Sequence, residues 1–73
     1  MKLSDHAEEI LEAMWIAVEE EGAAFYDPAL MQLADDDAGC RELVAKSLVE
    51  LRHGMLYFRP EGREEGKKTI RRH

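Results

Sequence analysis

The chain has 73 residues, of which 45% are apolar and 36% charged, and ten lysines and arginines against sixteen acids give a formal charge of −6. A chain this short buries roughly 60% of its unfolded surface, so we expect one small domain and no multi-step enzyme. Its apolar runs are far shorter than the roughly 18 residues of a membrane span, so we expect no membrane partner. The single cysteine excludes an intramolecular disulfide and makes the cytoplasm the expected compartment.

The net charge conceals a division along the chain. Residues 1–38 hold eleven acids against Lys2 alone, and residues 39–73 hold nine bases against five acids, which gives local balances of −10 and +4. A pI near 4.9 argues against phosphate binding, because neutralised phosphates supply most non-specific affinity for nucleic acid. The basic second half weakens that objection. Both halves can also serve only to solvate their helices, and the sequence leaves the two interpretations open.

The first predicted helix runs from about Asp5 to Glu20, because its apolar residues recur at steps of three and four. Asp5 followed by Glu8 resembles a capping box, and Gly22 supplies the stop. The buried face predicted by this spacing consists of Ala7, Ile10, Leu11, Met14, Trp15 and Val18.

Two further helices are predicted around a polar turn at residues 35–39. The first opens at Asp27 and Pro28, an N-cap followed by a proline at the first helical position, and it is short. The other runs from about Arg41 to His53 and ends at Gly54 as a left-handed cap. Two short helices joined by a tight turn are typical of a helix-turn-helix.

The last third of the chain is predicted as a brief extended segment followed by a helix. Met55 to Phe58 is apolar and extended, and a fourth helix starts near Pro60. Ile70 is the only large apolar residue of that helix, which therefore has little to bury by itself.

Several stretches resemble the diphtheria toxin repressor family of iron- and manganese-dependent transcription regulators. Residues 11–15 (LEAMW) with 19–22 (EEEG) look like the family's first helix, and Val44, Leu48, Leu51 and Leu56 align with apolar positions of its recognition helix and the following strand. Residues 59–65 (RPEGREE) and 69–73 (TIRRH) are similar to the passage from its wing into the metal-binding, dimer-forming helix. The resemblance covers nearly the whole chain.

This resemblance implies a single DNA-binding domain over residues 1–73, with a helix-turn-helix core at 1–58 and the fourth helix at 59–73. The family's dimerisation segment would begin just after His73, so a homodimer is implied through a segment beyond the chain end. The implied function is that of a repressor domain that inserts its third helix into the major groove of duplex DNA. The positions carried over as DNA contacts are Cys40, Glu42, Leu43 and Lys46 for bases, and Arg41 and Arg52 for phosphates.

Two features depart from the family pattern. Glu42 and Glu50 would direct carboxylates towards DNA, which costs affinity unless each finds a donor. A winged-helix domain also needs at least about eight residues for its hairpin, and only three residues separate Leu56 from Pro60. We therefore expect a mainly α fold: a three-helix helix-turn-helix core of winged-helix type, with the wing deleted or very short, plus the start of a fourth helix.

Metal binding is also implied by the resemblance. Carboxylates of the first helix and a histidine of the fourth correspond to Glu9, Glu12 and His73, and oxygen with imidazole ligands suits Mn²⁺ or Fe²⁺. Part of the family's ligand set lies further along the dimerisation helix, so the site in this chain is incomplete. The alternative is that both glutamates are simply solvent-facing. No catalytic residue is predicted, because Cys40 lacks an identifiable base partner.

A second function remains open at this point. A helix-turn-helix module without a wing can serve as a protein-interaction domain, with the acidic first helix and Val49, Tyr57 and Phe58 as contacts. The distribution of charge separates the two functions. A contiguous patch of Arg41, Lys46, Arg52 and the fourth-helix bases favours DNA, and interruption by Glu42 and Glu50 favours a protein partner.

Overall fold

The computed structural model describes residues 2–71 of the chain. Three α-helices and one antiparallel two-stranded sheet make up most of that part, so the mainly α prediction is confirmed at this level. None of the described helices is long and apolar enough to cross a membrane. The elements in chain order are α1 (Asp5–Trp15) with a π-helical turn (Ile16–Glu20), a 3₁₀ turn (Pro28–Met31), α2 (Ala38–Ala45), β1 (Val49–Arg52), β2 (Met55–Phe58) and α3 (Pro60–Arg71).

The first helix spans the predicted residues 5–20, although its last turn widens to the π form. Its N-cap is Ser4 rather than Asp5, because the Ser4 Oγ accepts a hydrogen bond from the backbone N–H of Ala7 at 3.1 Å. Gly22, at φ +75°, ends the helix as predicted. The residues of the helix buried in the core are Ala7, Ile10, Leu11, Met14 and Ala17, whereas Trp15 and Val18 are half-buried.

The second predicted helix is a single 3₁₀ turn. Asp27 caps it as expected, with its Oδ1 accepting from the N–H of Ala29 at 3.0 Å, but Gln32 enters the left-handed region at φ 58° and ends it. The residue before the turn joins the sheet, because Tyr26 and Leu56 exchange two backbone hydrogen bonds of 2.9 Å. The loop is thereby held along the free edge of β2.

The third helix is shorter than the predicted Arg41–His53 and ends at Ala45. Ser47 adopts φ 60°, its N–H donates to the carbonyl of Val44, and the N–H of Leu48 donates to the carbonyl of Leu43, both at 3.0 Å. These two bonds form a Schellman motif, and the accompanying hydrophobic positions, Leu43 and Leu48, are both buried. The helix therefore stops eight residues earlier than its apolar spacing predicted.

A short hairpin is present where the sequence predicted a wing deleted or very short, so the deletion is wrong. Strand β1 pairs with β2 in the register Val49↔Phe58 to Arg52↔Met55. His53 and Gly54 connect the strands with φ values of 52° and 78°, the combination of a type I′ hairpin turn. The hairpin fits because it begins at Val49, within residues that were assigned to the third helix.

Two glycines of α3 allow its close packing, Gly62 on the backbone of Leu48 and Gly66 on Trp15 of the antiparallel α1. A Cβ at Gly62 would overlap the carbonyl oxygen of Leu48, and one at Gly66 would lie 2.9 Å from the Trp15 ring, so both positions need the bare backbone for this close approach. Arg63 near the start of α3 pairs with Glu19 near the end of the first helix. The core beneath α1 is completed by the side chains of Cys40, Leu43, Leu48, Val49 and Leu56.

Candidate nucleic-acid interface

The outward face of α2 and the adjoining hairpin form the candidate interface. Asp37 caps the helix, since its Oδ2 accepts from the N–H of Cys40 at 3.0 Å. The exposed side of α2 carries Arg41, Val44 and Ala45. These three residues line a hollow together with Leu51 of β1. The exposed guanidinium of Arg41 thus lies among apolar side chains.

Two residues expected to contact bases are inside the protein. Cys40 and Leu43, three positions apart on α2, are 5% and 0% exposed and belong to the core. Burial raises the pKa of the Cys40 thiol to about 11, so it stays neutral. The expectation that these two side chains face the groove is therefore wrong, because the face opposite Arg41 and Val44 packs on α1.

Two further expected contacts bind the start of the chain. The Glu42 carboxylate accepts hydrogen bonds from the N–H of Ser4 at 2.9 Å and from its Oγ at 2.8 Å. These bonds hold the pKa of Glu42 below its usual value. The Lys46 Nζ donates to the carbonyl of Lys2 at 2.6 Å and lies 3.5 Å from Glu42. Both side chains thus tie α2 to the segment before α1.

A third tie joins the two helices at the N-terminus of α2. The Nε2 atom of His6 lies 2.9 and 3.0 Å from the two carboxylate oxygens of Asp37. The hydrogen bond raises the pKa of His6 above its usual value. Partial burial raises the pKa of Asp37, but the hydrogen bonds from His6 and the Cys40 N–H outweigh it and leave that pKa lowered.

The arginine expected to contact phosphate from the third helix lies on the hairpin instead. Arg52 is the last residue of β1, and its guanidinium carbon is 3.9 Å from the centroid of the Tyr57 ring. Glu50 lies between two arginines, 3.6 Å from Arg52 and 3.5 Å from Arg59. Phe25 packs beside Tyr57 with ring centroids 5.5 Å apart. This outer face of the hairpin alternates positive and negative charge.

The bases that were expected to form one patch are distributed over three elements. Arg41 is on α2, and Arg52 and Arg59 lie at the outer face of the hairpin. The exposed bases of α3 within the described residues are Arg63, Lys67, Lys68 and Arg71. Glu50 interrupts the hairpin group, whereas Glu42 faces away from the exposed side of α2.

The expected metal ligands are only partly within the described residues. Glu9 is exposed and Glu12 half-buried on α1, three positions apart, and His73 lies outside the described residues. Residues 2–71 contain no group of three or more His, Cys, Asp or Glu side chains arranged to hold a metal ion. The described part of the chain thus offers two of the three predicted ligands.

The apolar contacts expected for a protein partner are also placed differently. Val49 is buried, and Tyr57 and Phe58 are half-buried. The large apolar side chains exposed at the hollow beside α2 are Val44 and Leu51, at 40% and 47%. Recognising β1 as a strand would have exposed this pattern, because alternation places Val49 and Leu51 on one face of the hairpin and only the first lies over the core.

Comparisons with protein-family models, curated proteins and solved structures find no match for this chain. The class defined by its fold is a small, mainly helical domain with one two-stranded sheet.

Proposed function

We propose that this chain is the DNA-binding domain of a metal-dependent, iron- or manganese-responsive transcriptional regulator. In this proposal the 3₁₀ turn and α2 act as the helix-turn-helix, and the β1–β2 hairpin acts as a short wing. The observation that carries the proposal is the order of elements: a helix, a short helical turn, a second helix, a hairpin and a last helix. One face of α2 and the hairpin tip are exposed. The order of elements agrees with that of the family that the sequence resembles.

The exposed side of α2 suits contacts within a major groove. Arg41 can bind a phosphate or the acceptor edge of guanine, and the Val44 and Ala45 methyl groups can pack on the methyl group of thymine. Glu42 does not oppose DNA there, because Ser4 and Lys46 occupy its carboxylate. Cys40 and Leu43 position the helix from below instead of contacting bases.

The same surface predicts weak binding by one copy of the domain. Lys46 is engaged with Lys2 and Glu42, and Glu50 offsets the charge of Arg52 and Arg59. Few free cations then remain to neutralise phosphates. A regulator of this kind reaches useful affinity by presenting two copies to two half-sites, in line with the implied homodimer.

A salt titration with duplex DNA tests this function. We expect fluorescence anisotropy to detect binding of a labelled duplex at about 20 mM salt, with affinity falling steeply as salt rises. The variant with Arg41→Ala and Arg52→Ala should lower the slope of log K against log salt by about 1.8, since each phosphate contact contributes about 0.9. Lys68 is an exposed base on α3, and Lys68→Ala is the matched control. It should lower the slope of log K against log salt less.

Two results would overturn the DNA-binding proposal. One is the absence of any binding at about 20 mM salt, where electrostatic affinity is greatest. The other is an equal loss of slope in the Lys68→Ala control, which would mean that the duplex is attracted by charge alone and not by the α2 and hairpin surface.

The metal response is tested separately at α1. The pairs Glu19–Arg63 and Trp15–Gly66 show that α1 and α3 run in opposite directions, so the C-terminal end of α3 lies towards the level of Glu12. We expect Mn²⁺ to broaden the amide signals of Glu9 and Glu12 before those of the acidic group 19–21. Glu9→Gln with Glu12→Gln should remove the selective broadening, and uniform broadening of both acidic groups would contradict a metal site.

A protein-interaction module is the second candidate function. The observation in its favour is that the exposed Val44 and Leu51 line one hollow together with Asp35. Large exposed apolar groups on a small protein mark contact sites, and the carboxylate of Asp35 repels phosphate.

A further inference from the structure

An apolar groove lies between the 3₁₀ turn, α2 and the hairpin. It consists of two adjoining hollows of about 400 and 260 Å³ that share Asp35, Cys40 and Leu51. The larger hollow is lined on one side by Pro28 of the 3₁₀ turn and by Leu33, which follows the turn, and on the other by Met55. The groove therefore runs from the hairpin tip across the exposed side of α2.

The side chains in the groove have no apolar cover in the described part of the chain. Leu51 is 47% exposed although it lies on the same hairpin face as the buried Leu56, its direct partner across the strands. Val44 lines the smaller hollow and is 40% exposed. Contact with another apolar surface would remove this area from water, which favours association.

The charge along the groove selects the kind of partner. Asp27 and Asp35 line the larger hollow, and the stretch 24–40 that forms this wall holds four aspartates and no lysine or arginine. Arg41, at the far end, is the only base among the lining residues. A segment with lysine or arginine beside apolar residues is attracted by such a wall.

We propose that this groove binds a basic amphipathic segment of a partner protein, with its apolar side chains on Leu51 and Met55 and its lysine or arginine facing Asp35 and Asp27. This inference rests on the second candidate function and deepens it. The bound segment would cover Arg41, Val44 and Leu51, which also belong to the face proposed to contact DNA. The partner segment and DNA therefore exclude each other. Partner binding would then act as a regulator of DNA binding.

Two synthetic peptides with one apolar pattern test the groove. The first carries leucine and lysine in an amphipathic helical pattern, and the second carries leucine and glutamate in the same positions. In a ¹⁵N-labelled sample we expect only the lysine peptide to shift the amide signals of Ala34, Leu51 and Met55. Leu51→Ser and Asp35→Asn should each weaken that binding by about tenfold, the equivalent of 1.4 kcal/mol.

Matched controls come from outside the groove. Ile16→Ser alters another exposed apolar side chain, and Glu20→Gln another exposed acid, and both should leave the affinity unchanged. The Asp35→Asn variant replaces an exposed side chain and keeps the test valid if Leu51→Ser does not fold. The lysine peptide should also release labelled DNA from the wild-type protein.

Each contrary result has a defined meaning. Equal binding of the two peptides would overturn the proposal that the acidic groove selects a basic partner. A loss of affinity in the Glu20→Gln control equal to that in Asp35→Asn would overturn it too. Shifts confined to residues elsewhere would overturn the groove and leave an interaction module. Absence of peptide binding in a sample that binds DNA would overturn this inference and leave the proposed DNA function intact.

Discussion

Single side chains fix the position of α2 relative to the start of the chain. Asp37 accepts both the capping N–H of Cys40 and the hydrogen bond from His6, so one carboxylate serves two helices. Glu42 and Lys46 add contacts to Ser4 and Lys2 one and two turns further along. These polar contacts replace the base contacts that the sequence resemblance implied for Glu42 and Lys46.

The His6–Asp37 pair predicts a pH-dependent stability. Because its folded-state pKa is raised, His6 stabilises the protein fully below its ordinary pKa of 6.5, and this contribution is lost as pH rises through the folded-state pKa. The lowered pKa of Asp37 makes its contribution present above 3.8 and lost as pH falls through the folded-state value. The His6–Asp37 pair therefore contributes most to the stability of the folded protein between pH 3.8 and pH 6.5.

Urea unfolding of the wild type and His6→Gln measures this effect. We expect the difference in unfolding free energy to be larger at about pH 5.5 than at about pH 8. An NMR titration of His6 should move to lower pH in Asp37→Asn. The same pH dependence in both proteins would contradict the prediction.

Ser47 predicts a stabilising substitution. Its φ of 60° at the end of α2 is a left-handed conformation that costs a residue with a Cβ about 1 kcal/mol, and glycine adopts it freely. We expect Ser47→Gly to raise the unfolding free energy by about 0.5–1 kcal/mol in chemical denaturation. Ala45→Gly, within the helix, is the control and should lower it by a similar amount. A loss of stability in Ser47→Gly would show that this end of α2 is not held by the Schellman motif.

The sequence predicted a helix correctly where its local signals agreed. In α1 the three-and-four spacing and Gly22 point to the same element, and the first helix has the predicted bounds. Between residues 38 and 58 two signals compete, because Val44, Leu48 and Leu51 fit a helical period while Val49 and Leu51 fit a strand. His53–Gly54 resembled a helix cap and is a hairpin turn. The structure selects the hairpin, which buries Val49 and Leu56 together.

The candidate site was less accessible to prediction than the fold. The exposure of Arg41 follows from the helical period once α2 begins at Ala38, and so does the burial of Cys40 and Leu43. The engagement of Glu42 does not follow from local sequence, because its partner Ser4 is 38 positions away. The groove depends on the same long-range packing.

The close approach of α3 to Leu48 and Trp15 predicts a graded pair of substitutions. A Cβ at Gly62 would overlap the Leu48 backbone, whereas one at Gly66 would meet the side chain of Trp15. We expect Gly62→Ala to lower the unfolding free energy by about 3 kcal/mol and Gly66→Ala by about 1 kcal/mol, since a side chain gives way more readily than backbone. Thermal unfolding by circular dichroism measures both, and Trp15 fluorescence should change in Gly66→Ala. Equal losses would contradict the close approach at Leu48.

On the scale of the whole molecule, charge is separated along the chain but the halves are packed together. The acidic first helix lies against the basic α3, and Glu19–Arg63 joins them. The excess of acid nevertheless remains, since the chain carries −6 and residues 19–21 crowd the negative end of a helix dipole. Repulsion within the acidic half thus opposes folding.

This repulsion predicts stabilisation by salt. Raising NaCl from about 20 to 200 mM should increase the thermal midpoint by several degrees, because screening removes part of the repulsion. The variant with Glu20→Lys and Glu21→Lys should be more stable by about 0.5–1 kcal/mol and respond less to salt. A midpoint that falls with salt in the wild type would mean that the exposed ion pairs outweigh the repulsion.

The ties between the first residues and α2 have a consequence for any fragment of this domain. Lys2, Ser4 and His6 precede or begin the first helix, yet their partners are Lys46, Glu42 and Asp37, 31 to 44 positions further along. A fragment cut at the first helical residue would keep every helix and strand and the His6–Asp37 contact, yet it would lose the contacts of Lys2 and Ser4 that anchor α2. For this chain, the boundary of the working domain lies ahead of its first element.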